Sequence, residues 1–290
     1  MPRIIPLILP VAAILLGTTA SWAQGYYVAV DGSTRNPQGI LRGVVEVEIA
    51  TGSTTKLVDS NGIGLAYDHA GGTLYHANNN ATNKRIYESY QLPGVIDSPE
   101  LITDLPTGPN TARIDMTHDG NHLYQVSYSQ DKIWRIDDVS GAATEFAVKP
   151  ASTNRAGMSG IAYSERDQEF FVSFDSTNEI HAYDNQGQWR LLLDLSTHAN
   201  FIDDQGPAWE IAGLAYDHQR NILAIGHGTD PEIWEYDLTS GTLSNTPIVI
   251  QSGTRAFGFT YVPEPSGSLL GLVLLIPLML TRRHSRMRYS

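Results

Sequence analysis

The chain has 290 residues, a formal net charge of −12 and no cysteine, with 31 acidic, 19 basic and 9 histidine side chains. That surplus of negative charge repels phosphate backbones and anionic lipid, which argues against nucleic acid or an anionic membrane surface as the ligand. Without a thiol there is no disulfide framework, no thiolate zinc site and no cysteine nucleophile.

In chain order, the first predicted element is a signal helix. Met1-Pro2-Arg3 is a short basic start, Ile4 to Gly17 is an apolar run, and Ser21-Trp22-Ala23 is a small-x-small cleavage site. Together these read as a secretory signal peptide over residues 1–23, cut after Ala23. Residues 24–262 then form the folded core. Leaving out Arg3, Arg282, Arg283, Arg286, Arg288 and Glu264, the core carries 14 basic and 30 acidic side chains, a formal charge of −16.

The core is repetitive. One phrase recurs as Gly64-Leu65-Ala66-Tyr67-Asp68, Gly160-Ile161-Ala162-Tyr163-Ser164 and Gly213-Leu214-Ala215-Tyr216-Asp217, with looser copies at Arg113 to Thr117 and Gly258 to Val262. Taking Leu65, Ile114, Ile161, Leu214 and Phe259 as equivalent, the spacings are 49, 47, 53 and 45 residues. Each of the first four copies precedes a turn and a second strand: Leu74 to Ala77, Leu123 to Val126, Phe170 to Ser173 and Ile222 to Ile225. Third strands share an ending at Ile133 to Gly141, Ile180 to Gly187 and Ile233 to Gly241, where glycine closes a turn at positive φ. Alternating β-branched and aromatic residues support strands throughout, and no amphipathic helix stands out. Four strands in each unit of this length define a propeller blade.

The two ends of the core are complementary. Ala256 to Val262 supplies a first strand with nothing of the blade after it. Tyr26 to Val30, Val44 to Gly52 and Thr54 to Val58 supply a second, third and fourth strand with nothing before them. The expected fold is therefore an all-β propeller of five four-stranded blades, closed by pairing of the N- and C-terminal strands, with no free sheet edge.

Binding residues are expected on the loops linking blade to blade and strand two to strand three. Asn61, Asn110, Glu210 and Arg255 stand four residues before their anchors, with Gly157 in the remaining unit, and are placed at the channel mouth. The longest loop, Ser196 to Glu210, holds His198, Asp203, Asp204, Trp209 and Glu210. Trp209 suits stacking on a sugar ring, and carboxylates suit its hydroxyls. Asp115 and Glu210 are the carboxylates a glycosidase mechanism would use. Asp175, Asp203, Asp204 and Asp230 are the oxygen ligands a calcium ion would use. His227 with Asp230, joined by His76 or His198, is a transition-metal alternative. Asp68, Asp119 and Asp217 read as turn formers. No Gly-x-Ser-x-Gly elbow, His-Glu-x-x-His helix or phosphate loop is present.

Residues 263–290 close the chain with Pro263-Glu264-Pro265, an apolar helix over Leu269 to Leu280, and a basic cluster including Arg282 and Arg283. The positive charge fixes that end on the cytoplasmic side. These three parts in this order resemble the PEP-CTERM sorting signal of Gram-negative bacteria. The resemblance covers the last 28 residues. It implies export, transient anchoring in the inner membrane, and recognition of the tail by an exosortase. It also implies association with exopolysaccharide or another surface glycan, as in biofilms. The functional expectation is a binding or structural module at the cell surface. The alternative is an extracellular hydrolase of glycosidase or calcium-dependent lactonase type.

Overall fold

The computed structural model describes residues 25–30, 43–58, 62–80, 83–90, 100–104, 114–127, 130–149, 157–174, 177–201, 211–251 and 258–262. The expected signal helix and C-terminal apolar helix fall on residues 1–23 and 263–290, outside the described residues. Among the described residues no helix is long and apolar enough to cross a membrane. Among the described residues, one turn of 3-10 helix, Ala199–Phe201, accompanies the strands.

The strands are β1 (Gly25–Val30), β2 (Gly43–Glu48), β3 (Thr54–Val58), β4 (Gly62–Asp68), β5 (Thr73–Asn80), β6 (Asn83–Tyr90) and β7 (Glu100–Asp104). They continue with β8 (Ile114–His118), β9 (Leu123–Ser127), β10 (Gln130–Ile136), β11 (Ala143–Val148), β12 (Met158–Ser164), β13 (Glu169–Phe174), β14 (Glu179–Tyr183) and β15 (Trp189–Asp194). The last are β16 (Ile211–Asp217), β17 (Ile222–His227), β18 (Glu232–Asp237), β19 (Thr242–Leu243), β20 (Ile248–Val249) and β21 (Gly258–Val262). They form five antiparallel sheets: β4 to β7, β8 to β11, β12 to β15, β16 to β20, and a sheet in the order β21-β1-β2-β3. The first strands β4, β8, β12, β16 and β21 touch one another in that order, and β21 returns to β4. The result is a ring of sheets around an axis, a β-propeller-like fold.

The ring closes where the sequence placed the seam. β1 pairs antiparallel with β21, Tyr26 opposite Tyr261 and Val28 opposite Phe259. Tyr26, Val28, Val45, Val47, Phe259 and Tyr261 pack with Ala215, Ala224, Ile233 and Ile250 of the neighbouring sheet. Arg220 reinforces this seam. It ion-pairs with the fully buried Asp217, donates to Glu235 at 2.7 Å and reaches the Tyr26 hydroxyl at 3.2 Å. The Tyr26 hydroxyl donates to Glu235 at 3.1 Å. Partner carboxylates hold a half-buried guanidinium charged, so the contact between the two sheets is polar as well as apolar.

Two turns explain why the repeat looks as it does. After strand one, Asp68, Asp119 and Asp217 each accept backbone N–H bonds from the turn they open, at 2.8–3.1 Å. Ser164 plays the same part, accepting from the Asp167 N–H. After strand three, Gly52, Gly141, Gly187 and Gly241 take φ of 68, 71, 75 and 69°, a left-handed conformation that suits a residue without Cβ. The Gly141 and Gly241 N–H groups donate back to Asp137 and Asp237 at 2.8 Å, which explains the Asp-x-x-Ser-Gly ending of those strands.

Bulges recur at fixed places. The ladder between strands three and four shifts at Val44/Val45, Ile86/Tyr87, Ile133/Trp134 and Ile180/His181. In the sheet of β16 to β20 the same position widens, because the outer strand splits into β19 and β20 around Pro247. Proline has no N–H for the ladder, and the strand stays off β18 from Leu243 until Ile248, the residue after Pro247.

One register in the sequence reading is corrected. His118 lies opposite Leu123 as Tyr67 lies opposite Leu74, and Asp115 opposite Val126 as Gly64 lies opposite Ala77. Met116, not Ile114, is therefore the counterpart of Leu65. The spacings between anchors become 51, 45, 53 and 45 residues. Asp115 thus occupies the position held by Gly64, Gly160, Gly213 and Gly258 in the other sheets.

That substitution fills the middle of the ring. A Cβ at Gly160 would lie 2.7 Å from the Leu214 nitrogen and the Gly213 carbonyl carbon, so the inner strands meet backbone to backbone. Asp115 is fully buried among them. Its carboxylate accepts from the N–H groups of Met116 at 3.0 Å, Ile161 at 3.0 Å and Leu214 at 3.4 Å, and the Leu65 N–H also bears on it. Burial pushes its carboxyl well above the ordinary range, and the N–H bonds pull it back. One side chain therefore ties four inner strands together across the axis.

His76 on β5 gives the core a pH dependence. Burial pushes its imidazole from 6.5 down to about 4, and it is 4 % exposed. Between those values the unfolded chain binds the proton and the folded chain does not, so stability rises with pH. The contribution is complete above pH 6.5 and is lost as pH falls to about 4. It amounts to on the order of 3 kcal/mol. We expect the thermal midpoint to fall over that interval, and His76→Gln to flatten the slope. An unchanged slope in that variant would show that the imidazole is not the titrating group.

Candidate functional site

The turns after the inner strands bring polar groups to one end of the axis. The residue following the turn-forming Asp or Ser is His69 in the β4–β5 turn, Glu165 in the β12–β13 turn and His218 in the β16–β17 turn. Three different sheets thus supply one residue each. A small, open pocket lies beside them, lined by His69 and Glu165 of the three. Its walls carry Tyr67, Thr117, Tyr163, Tyr216 and Thr260, with His69, His118 and Glu165. Met116, Ile161 and Leu214 also line it, and their N–H groups are the ones that hold Asp115. The axis is therefore blocked beneath the pocket.

His69 Nε2 lies 3.7 Å from Glu165 Oε1. The His69 and His218 rings are edge to face, with centroids 4.6 Å apart. One ligand atom from each of His69, Glu165 and His218 falls within 4.8 Å of the others. Burial, and next the adjacent His218, push the His69 imidazole down to about 4, so it is neutral at physiological pH. Burial raises the Glu165 carboxyl, with His218 opposing. The Nδ1 atoms of His69 and His218 are buried without a hydrogen-bond partner.

His118, a fourth imidazole at this end, is committed to structure. It takes the place of the repeat tyrosine and stacks on Tyr75 at 5.5 Å. Its Nδ1 accepts the Gly120 N–H at 3.1 Å, which puts the ring proton on Nε2, 3.4 Å from Asp138 Oδ2. Neither nitrogen is left for a ligand.

The residues singled out in the sequence fall elsewhere. Asp115 lies in the sealed interior, where its oxygens are spent on backbone N–H groups. As a catalytic carboxylate it is corrected to a structural tie. Asn61, Asn110, Trp209, Glu210, Arg255, Asp175, Asp203 and Asp204 lie outside the described residues, as do Pro263, Glu264, Pro265, Arg282 and Arg283. Asp230 is described: its carboxylate is 61 % exposed and lies 3.5 Å from His227 Nδ1. His227 is not a free metal ligand. Its Nε2 is 2.9 Å from the Asn200 carbonyl, and its Nδ1 accepts the Asp230 N–H at 3.0 Å. Gly157 is buried just before β12.

The sequence reading passed over His69, Glu165 and His218. Their signal was the residue just beyond the repeat, Tyr67-Asp68-His69 and Tyr216-Asp217-His218, with Glu165 at the same place. Repeat position, rather than spacing along the chain, is what brings them together.

No family model and no curated protein matches the chain. Solved structures do. A chain of a nidogen/laminin complex aligns at TM-score 0.54 and 12% identity, over 83% of this chain and 99% of that one. A protein of unknown function from Bacteroides thetaiotaomicron aligns at 0.51 and 14% identity, over 77% of this chain and 57% of that one. TolB from Acinetobacter baumannii aligns at 0.47 and 11% identity, over 83% and 67%. At such identities the likeness shows the fold alone. The chain belongs to the all-β, propeller-like class.

Proposed function

We propose that this chain is an exported binding or structural module, a five-bladed propeller that its C-terminal tail directs to the cell envelope or the surrounding exopolysaccharide. The observation that favours binding over hydrolysis is the sealed axis. Propeller hydrolysis at the centre of the ring needs carboxylates free to face a substrate. Here the carboxylate inside the ring, Asp115, is consumed in holding four strands, and among the described residues Glu165 is the single carboxylate lining the pocket at its mouth, where a glycosidase needs two. The tail supports export and exosortase handling through the Pro263-Glu264-Pro265 element, the apolar stretch and the arginines Arg282 and Arg283. The acidic core suits a soluble extracellular module. On this reading, glycan contacts come from Trp209, Glu210, Asn61, Asn110 and Arg255, and calcium bridges acidic loops through Asp175, Asp203, Asp204 and Asp230.

The test is co-sedimentation of the chain with exopolysaccharide from the producing cells, with and without calcium and a chelator. Retention with unchanged polymer length is the expected result, and the chelator should reduce it. Shortened polymer would establish a hydrolase instead. In the same cells, a chain ending at residue 262 should appear soluble. An unchanged envelope location for that chain would end the sorting proposal.

A further inference from the structure

We propose that His69, Glu165 and His218 form a binding site for a divalent transition-metal ion of the zinc class. Three observations carry this independently of the sorting tail.

The first is the donor set. Two imidazoles and one carboxylate make a borderline nitrogen–oxygen site. Calcium and magnesium prefer six or more oxygens, and a pair of imidazoles turns preference toward zinc and its neighbours. Two histidines with one glutamate, plus water, is a recognised zinc arrangement.

The second is distance. A tetrahedral zinc ion about 2.0–2.2 Å from each ligand needs donor atoms roughly 3.3 Å apart. The His69–Glu165 separation is 3.7 Å, and all three ligand atoms lie within 4.8 Å. Small side-chain rotations close that gap. The backbones need not move, because each residue sits in a turn fixed by its Asp or Ser neighbour.

The third is an otherwise unexplained cost. Two imidazoles are pressed together with a buried Nδ1 on each that has no partner. Buried ring nitrogens without a partner are destabilising; an ion held by His69 through Nε2, the nitrogen that faces Glu165, leaves His69 Nδ1 as it is, so the penalty it can relieve is the one at His218. His118 shows the contrast: at the same end of the axis, with both nitrogens engaged, it offers nothing to an ion.

Glu165 is exposed and His69 and His218 are half-buried, so an ion can enter from solvent. Among the described residues no fourth protein ligand joins the group, which leaves a position for water on the pocket side.

The experiment uses the full-length chain, stripped with a chelator, then titrated with Zn²⁺ against a chromophoric competitor and separately with Co²⁺. One equivalent of Zn²⁺ is expected to bind, with the visible absorption of tetrahedral cobalt in the Co²⁺ sample. Glu165→Gln and His218→Gln should each weaken binding about 100-fold and abolish the cobalt bands. Glu165 lies in an exposed turn, so its variant should melt like the metal-free parent. His198→Gln should bind as the parent does. Absence of a stoichiometric Zn²⁺ site in the parent would overturn the proposal. So would a site that survives both Glu165→Gln and His218→Gln, or one that His198→Gln destroys.

Discussion

Replacing Asp115 by alanine will cost about 4 kcal/mol of folding stability. The side chain accepts three backbone N–H groups at 3.0–3.4 Å, from its own strand and two others, and a fourth bears on it from β4. Alanine leaves those groups buried and unpaired, and each orphan costs about 1–3 kcal/mol before any water enters the space. Set against a typical domain stability of about 5–15 kcal/mol, the loss is a large share. Glycine, the residue at the other four equivalent positions, is expected to do no better, because it also supplies no acceptor. Asparagine keeps one oxygen but turns an N–H₂ group toward donors, and should fall between. Urea unfolding of the four proteins gives the order. A glycine variant as stable as the parent would mean that the axis is held by strand packing alone.

The second large effect concerns the seam. A chain ending at residue 257 should fail to fold cooperatively, whereas one ending at residue 262 should unfold in urea as the full chain does. The five residues between them are β21. Phe259 and Tyr261 are each 1 % exposed, and removing a buried aromatic side chain costs about 3–5 kcal/mol. The loss also uncovers Tyr26 and Val28 and leaves β1 with an open edge, which invites pairing between molecules. Gel filtration will separate the outcomes: a monomer for the longer chain, aggregate or an expanded species for the shorter. Matching urea midpoints would show that β1 and β21 contribute little to the ring.

Much of this architecture was readable from the chain, and the failures have physical causes. The phrase Gly-Leu-Ala-Tyr-Asp could be read because each position has a separate job. Glycine lets backbones meet at the axis, the apolar anchor packs between sheets, and aspartate closes the turn. The Asp-x-x-Ser-Gly endings announced the left-handed turns at Gly141 and Gly241 for the same reason. The copy at β8 slipped because Asp115 replaces the glycine and Met116 the branched anchor. An isoleucine two residues earlier then looked like the better match. The site was not legible because each of three turns contributes a single residue to it, with no acidic or aromatic run to mark it. The residues that meet at His69, Glu165 and His218 are separated by 96 and 53 positions. Only ring closure makes them neighbours, and ring closure is not a local property of any segment.

The join between β1 and β21 also sets a timetable. The partners lie more than 200 residues apart in a chain that is made from one end. Contacts this distant in sequence form slowly, because a long segment must be ordered before they bring any gain. Four sheets can assemble from strands that are neighbours in the chain. The fifth waits for the last strand, and until then three N-terminal strands stand ready with an exposed edge. During synthesis, and during any passage across a membrane, the domain is an incomplete circle whose first strands depend on its last. A synthesis arrest a few codons short of β21 would therefore release an almost complete but adhesive chain, and delivery of residues 258–262 is the step that commits the molecule to its native state.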